Sequence, residues 1–185
     1  MLILASQSPR RSEILRQAGI PFVVKPAHVD ESVHAGEPVA DYIRRVAQQK
    51  AAAVEAGVGD VVLAADTVVV IGGEILGKPR DPADAERMLE CLAGREHEVV
   101  TGICLRRGAE LLYDQAVTRV WFKPLTREEI EQYVASGEPM DKAGAYAIQG
   151  IASKFIERIN GSYTNVVGLP IELVTKYLPE LAARP

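Results

Sequence analysis

Ser6-x-Ser8-Pro9-Arg10-Arg11 lies where a short apolar run ends and a helix signal begins. Free backbone N–H groups of a helix start, the positive end of its dipole, a hydroxyl and two guanidinium groups would converge there, which suits a phosphate. The same residues also read as a capped surface helix with two solvated arginines. Asp66 is a sharper signal, because it interrupts the apolar, mostly β-branched run from Val61 to Ile71 and shares a strand face with Val62, Ala64, Val68 and Val70. A carboxylate in such surroundings is paired, metal-bound, reachable by water from a cleft, or hydrogen-bonded at a bend before Thr67.

Other polar residues are more ambiguous singly. Asp30-Glu31 is either a solvated loop or a partner to Asp66 in holding a hard divalent ion. Lys50 falls late in a long helical pattern, where lysine is ordinary. Gly72-x4-Gly77-Lys78 nearly spells a phosphate-binding P-loop, but Pro79 takes the Ser/Thr position and the next helix opens only near Pro82, so that motif is rejected. Lys78 itself is either a solvated turn lysine or one that points back toward a phosphate. The small-residue stretch Asp141 to Gly150 lets backbone approach a flat ligand closely. Within it, Gln149 either caps loop backbone groups or meets the imide edge of a pyrimidine with its acceptor and two donors. His28, His34 and His97 show no ligand spacing, so neither a histidine zinc site nor a histidine-centred triad is expected.

The elements that position these residues follow from periodicity and punctuation. Leu2 to Ala5 reads as a buried strand. Ser8 at an N-cap, Pro9 at the first helical position and Gly19 past the end bound a helix with Ile14, Leu15 and Ala18 on its apolar face. Phe22 to Val29 suggests a strand, and Glu37-Pro38 opens a helix running to about Ala56 with Gly57 as its stop. Val61 to Ile71 is a central strand. Asp81-Pro82 starts a helix ending at Gly94, and His97 to Leu105 with Leu111 to Phe122 flank a turn at Arg107-Gly108. Thr126-x-x-Glu129 is a capping box for a helix that stops at Gly137. Phe155 to Ile159 is a strand, Pro170 opens the last helix, and Trp121 is assigned to core or hairpin packing. Alternation that gives way to hairpins predicts a mixed sheet flanked by helices.

Composition bounds the partners. With 185 residues, 48% hydrophobic and 25% charged, the chain is expected to fold as one domain over 1–185, or one sheet with a lobe grown onto it, rather than to be disordered. A net charge of −4 disfavours nucleic acid and anionic membrane as partners, so any polyanion site is local. Two cysteines, Cys91 and Cys104, fit a reducing cytoplasm, not a disulfide framework. The run Met1 to Ala5 is too short for a secretory signal, and no stretch approaches the ~20 apolar residues of a membrane span.

Together, Ser6-x-Ser8-Pro9-Arg10-Arg11 with Leu15, Ala65-Asp66-Thr67, Gly77-Lys78-Pro79, Asp141 to Tyr146, Gly161-Ser162-Tyr163 and Gly168-Leu169-Pro170 closely resemble the Maf family of nucleoside triphosphate pyrophosphatases, in the family's order from Leu2 to about Leu178. The resemblance implies an α/β fold like that of inosine-triphosphate pyrophosphatases: a long twisted mixed sheet with helices around two lobes and a central cleft. It implies Asp66 as catalytic acid/base and Ser6, Arg10, Arg11, Glu31, Lys50 and Lys78 as polar cleft residues. A divalent cation, Mg2+ or Mn2+, would be held by Glu31 and Asp66. Arg10, Thr67 and Gln149 match the branch acting on dTTP and UTP, whereas the 7-methyl-GTP branch carries tryptophan, glutamine and glutamate there. The implied reaction releases pyrophosphate and leaves a monophosphate, from modified pyrimidine triphosphates as well. A non-catalytic nucleotide-sensing regulator linked to cell division would use the same pocket without needing Asp66. The sequence leaves the oligomeric state open, a homodimer included.

Overall fold

The computed structural model describes residues 1–182. Its described residues form one seven-stranded mixed sheet in the order β2-β1-β3-β5-β6-β7, with β4 paired to β3. They fall into two compact units. The strands β3 (Val61–Ile71), β5 (Glu96–Arg107) and β6 (Glu110–Phe122) contribute residues to both.

The first unit holds residues 1–67, 101–116 and 168 onward. Here β1 (Leu2–Leu4) runs parallel to both β2 (Val23–Val24) and β3. Helix α1 (Pro9–Gln17) joins β1 to β2, and α2 (Val39–Ala52) leads toward β3. The core combines Ile3, Ala5, Ala47, Ala51, Val54, Val62, Ala64 and Cys104. These side chains are small and β-branched, so α2 is seated on the sheet by alanines at positions 47 and 51, one helical turn apart. Burial pushes the Cys104 thiol up to about 11, so it is an inert packing group. α6 (Ile171–Ala182) completes this unit.

The second unit, residues 68–100 and 117–167, carries the larger apolar side chains. Leu76, Leu89, Leu92, Phe122, Tyr133 and Phe155 are all at most 2% exposed. Burial of each such side chain stabilises by roughly 1.5–3 kcal/mol. They come from β4 (Glu74–Leu76), α3 (Pro82–Leu92), α4 (Arg127–Ala135), β6 and the 3-10 turn Ile151–Phe155. Asp81 caps α3 by accepting from the Asp84 N–H, and Thr126 and Glu129 make both bonds of the capping box on α4. β7 (Ile156–Asn160) is antiparallel to β6 and lays Arg158 over the Trp121 ring, its register partner, at 3.9 Å.

Several expectations need correction. The strand expected over Phe22 to Val29 is only Val23–Val24, both exposed on the sheet edge. Pro26 has no N–H to continue the pairing, and the chain leaves as a loop through Glu31. Helix α2 stops at Ala52, four residues before Ala56, and Ala18 is an exposed C-cap rather than part of the apolar face of α1. β4 and the five-residue helix α5 (Tyr163–Val167) are too short for periodicity to signal. Among the described residues no helix is long and apolar enough to cross a membrane.

Candidate active site

Two polar clusters form in the first unit, both on ordinary backbone elements. The sequence Leu2–Leu4 is buried strand, and Ser6, 8% exposed, follows its end. Pro9 with φ fixed for the first helical turn starts α1, so Arg11 faces inward while Arg10 stays half-buried. Arg11 is 9% exposed and donates once from each guanidinium nitrogen: Nε to the Gly168 carbonyl at 2.8 Å, Nη1 to Ser6 Oγ at 3.1 Å, and Nη2 to Thr67 Oγ1 at 3.1 Å. Burial lowers the Arg11 pKa, and the charges of Asp66 and Glu31 oppose that shift. Thr67 also shares a hydrogen bond with Thr101 at 2.9 Å. Gly168 has φ of +129°, and a Cβ there would stand 3.8 Å from Thr67 Oγ1 and 3.9 Å from Arg11 Nε. Only glycine takes that backbone readily while bringing its carbonyl against the guanidinium.

Beside Thr67 on β3, Asp66 is 5% exposed. Its Oδ1 accepts from Lys50 Nζ at 2.8 Å, and the same ammonium meets Glu31 Oε1 at 3.0 Å. Asp66 Oδ2 is buried and accepts no hydrogen bond among the described residues. Lys50 is 7% exposed because it lies on the buried face of α2, four residues after Val46. Glu31 itself is exposed, on the loop after β2. Tyr42 anchors that loop by donating its hydroxyl to the Glu31 carbonyl at 2.9 Å. Burial, then the charges of Asp66 and Glu31, raise the Tyr42 pKa, so the phenol stays protonated and keeps donating. Arg45 fixes the loop's other end, through Ser32 O at 2.9 Å and a two-pronged bond to Glu37 at 2.6 and 2.8 Å. That guanidinium holds the Glu37 carboxyl down at about 2.

The structure thus brings Ser6, Arg11 and Thr67 into one cluster and Glu31, Lys50 and Asp66 into another. Arg10 makes no hydrogen bond or ion pair among the described residues, which leaves its guanidinium available to a ligand. Lys78 and Gln149 belong to the second unit, both exposed and both without a hydrogen bond among the described residues. Lys78 follows Gly77, whose carbonyl accepts the Gly144 N–H at 3.0 Å. Gly144 has φ of +67°, and a Cβ there would meet Val69 Cγ2 at 2.6 Å. Ala145, at φ +60°, is the non-glycine residue of positive φ among those described. Strain of this kind persists where surrounding bonds over-determine it. Here Tyr146, next in the chain, shares a 2.7 Å hydrogen bond with the buried His97 Nε2.

The sequence did not point to Thr101, Tyr42, the Gly168 carbonyl as the acceptor for Arg11, or the His97–Tyr146 pair. Thr101 had a legible signal, a hydroxyl inside an apolar run, as Asp66 has; Tyr42 had none.

For a metal, no cluster of three or more His, Cys, Asp or Glu side chains exists among the described residues. Mg2+, however, is commonly held by one or two carboxylates with substrate phosphates and water completing the shell. Asp66 and Glu31, drawn to one ammonium and with an Asp66 oxygen unbonded, fit that kind of site.

The Staphylococcus aureus Ham1 protein has the same fold at TM-score 0.53 and 15% identity, covering 97% of this chain and 98% of its own. A HAM1 protein from Coxiella burnetii matches at TM-score 0.50 and 18% identity, with 97% and 98% covered. These meet the fold expectation of a mixed α/β sheet. The dTTP/UTP pyrophosphatase of Anaeromyxobacter sp. strain Fw109-5 is 57% identical over 175 residues, 92% of this chain and 84% of that relative. The dTTP/UTP pyrophosphatase of Symbiobacterium thermophilum is 55% identical over 181 residues, 97% and 93%. The family model described as Maf-like protein matches residues 1–181, and the chain belongs to the Maf family.

Proposed function

We propose that the chain acts, as one domain, as a nucleoside triphosphate pyrophosphatase that hydrolyses dTTP and UTP to the monophosphate and pyrophosphate. The observation that carries the reading is Asp66: a carboxylate kept almost wholly out of water, beside two cations, with one oxygen left unbonded. Burying such a group costs several kcal/mol unless it is compensated, so its retention supports a chemical role. Relatives above half identical carry the name dTTP/UTP pyrophosphatase, which supports the same activity.

In this reading Arg10, Lys78 and the start of α1 bind the triphosphate and offset its charge. Arg11, already bonded on three sides, holds Ser6, Thr67 and the Gly168 backbone in place. Asp66 takes a proton from water, the water oxygen bonds to the α-phosphorus, and the bond from that phosphorus to the bridging oxygen breaks. Pyrophosphate leaves, and no covalent intermediate forms. Glu31 and Asp66 would hold Mg2+ or Mn2+, which supplies neutralisation of phosphate oxygens and a lowered water pKa when bound. Gln149 donates to and accepts from the imide edge of uracil or thymine, while Thr67 and Arg10 shape the same preference. A local cationic site on a chain of net charge −4 suits a small polyanion better than nucleic acid or membrane, and a reducing cytoplasm suits its free cysteines.

The test is a pyrophosphate-release screen over dTTP, UTP, CTP, GTP, 7-methyl-GTP and modified pyrimidine triphosphates, with Mg2+, Mn2+ or EDTA, on wild type and Gln149→Glu. Expected are turnover of dTTP and UTP that EDTA abolishes, and a loss of kcat/KM for both in Gln149→Glu of about 10-fold or more, since each pyrimidine carbonyl left facing a carboxylate costs ~1–3 kcal/mol. Orthophosphate as first product contradicts the pyrophosphatase reading. An unchanged ranking in the variant contradicts the role of Gln149.

A further inference from the structure

Lys50, like Arg11, is placed differently from the role its family match implies, and it alone of the two is paired to carboxylates. A lysine that binds phosphate presents its ammonium to solvent or ligand, yet this one is buried and paired to two carboxylates, donating to Asp66 Oδ1 at 2.8 Å and lying 3.0 Å from Glu31 Oε1. The two acids it bridges come from different elements, a rigid central strand and a loop. Without a cation between them, two carboxylates drawn to one point repel, and the one on β3 cannot retreat. The ammonium occupies Asp66 Oδ1, while Oδ2 is buried without a hydrogen bond. A metal ion that takes Oδ1 therefore meets Lys50 already there.

We infer that Lys50 is a built-in placeholder cation: its ammonium holds Glu31 and Asp66 together before the divalent ion arrives, competes with that ion for the same oxygens, and is displaced when it binds. The inference rests on the two-carboxylate metal site proposed above and deepens it. Displacement frees a lysine at the edge of the site, on a helix four-carbon tether, where a triphosphate can use it. Lys50 is then a positioning residue in the metal-free protein and a phosphate ligand only afterwards. The exchange also leaves the buried carboxylate compensated by a cation throughout.

The experiment titrates Mn2+ alone, without nucleotide, into the full chain, following free Mn2+ by electron paramagnetic resonance and melting temperature in parallel. Lys50→Met removes the competitor, so it should bind Mn2+ at least 10-fold more tightly than wild type and melt lower than wild type without metal, with a larger rise on Mn2+ addition. Lys50→Arg keeps a cation there and should bind Mn2+ within about 3-fold of wild type. A lysine with a merely structural role predicts lost stability with no gain in Mn2+ affinity, and equal or weaker binding by Lys50→Met overturns the inference while leaving the metal site standing. No Mn2+ binding by either protein overturns both. Wild type gives an answer independent of how the variants fold: acylation of Lys50 by an amine-reactive reagent, read by mass spectrometry, should speed up several-fold on Mn2+ addition, and an unchanged or slower rate overturns the inference.

Discussion

Asp66 and Lys50 are 16 positions apart in the chain and 2.8 Å apart in the structure. Asp66 was legible from the sequence because aspartate is unusual within eleven residues that otherwise bury themselves on both faces of a sheet. Lys50 was not, because lysine late in a helix is ordinary until its packing face is known, and that face is set by tertiary contact of α2 with the sheet. Arg11 shows the same limit. Its type and spacing marked it as a phosphate ligand, but three of its donors are used within the protein, and only coordinates could reveal that. The prediction at this scale concerns Asp66→Asn, which keeps the shape and deletes the base. A kcat loss on the order of 10²-fold or more is expected, with far-ultraviolet circular dichroism unchanged. Near wild-type kcat in steady-state assays of dTTP would make Asp66 a structural group and favour a nucleotide-sensing regulator.

Elements with strong local grammar could be read off the chain: β3 from its continuous β-branched run, α3 and α4 from their Asp81 and Thr126 caps, and the β5–β6 hairpin from its two flanking runs. Elements too short to show a period were missed, and β4 lay hidden under a near match to a phosphate loop. The strained Gly144–Ala145 turn was not visible either, since its cause lies in Gly77, His97 and Val69, far along the chain. His97 ties that turn to β5 and gives it a pH dependence. Burial pushes the imidazole down to about 4 from its ordinary 6.5. The folded chain therefore keeps His97 neutral where the unfolded chain takes up a proton. Its contribution is complete above pH 6.5 and is lost as pH falls from 6.5 through 4. Urea unfolding of wild type and His97→Gln at pH 7 and pH 4.5 should show the variant losing ~2 kcal/mol less stability on acidification. Parallel losses in the two proteins would contradict the assignment.

At the scale of the whole molecule, the chain is acidic, with a net charge of −4. The first unit carries Arg10, Arg11 and the Lys50 ammonium paired to two carboxylates, and the second carries Lys78 and the neutral Gln149 on exposed segments. Net charge disfavoured nucleic acid and anionic membrane as partners, and the order of motifs pointed to the family whose model matches residues 1–181. Neither could say which phosphorus is attacked, which is the central chemical claim. Hydrolysis of dTTP in water enriched in 18O, with Mg2+ present and products resolved by mass spectrometry, decides it. Attack at the α-phosphorus puts the label in the monophosphate and leaves pyrophosphate unlabelled. Label in pyrophosphate or orthophosphate, or no turnover of dTTP, would contradict the account.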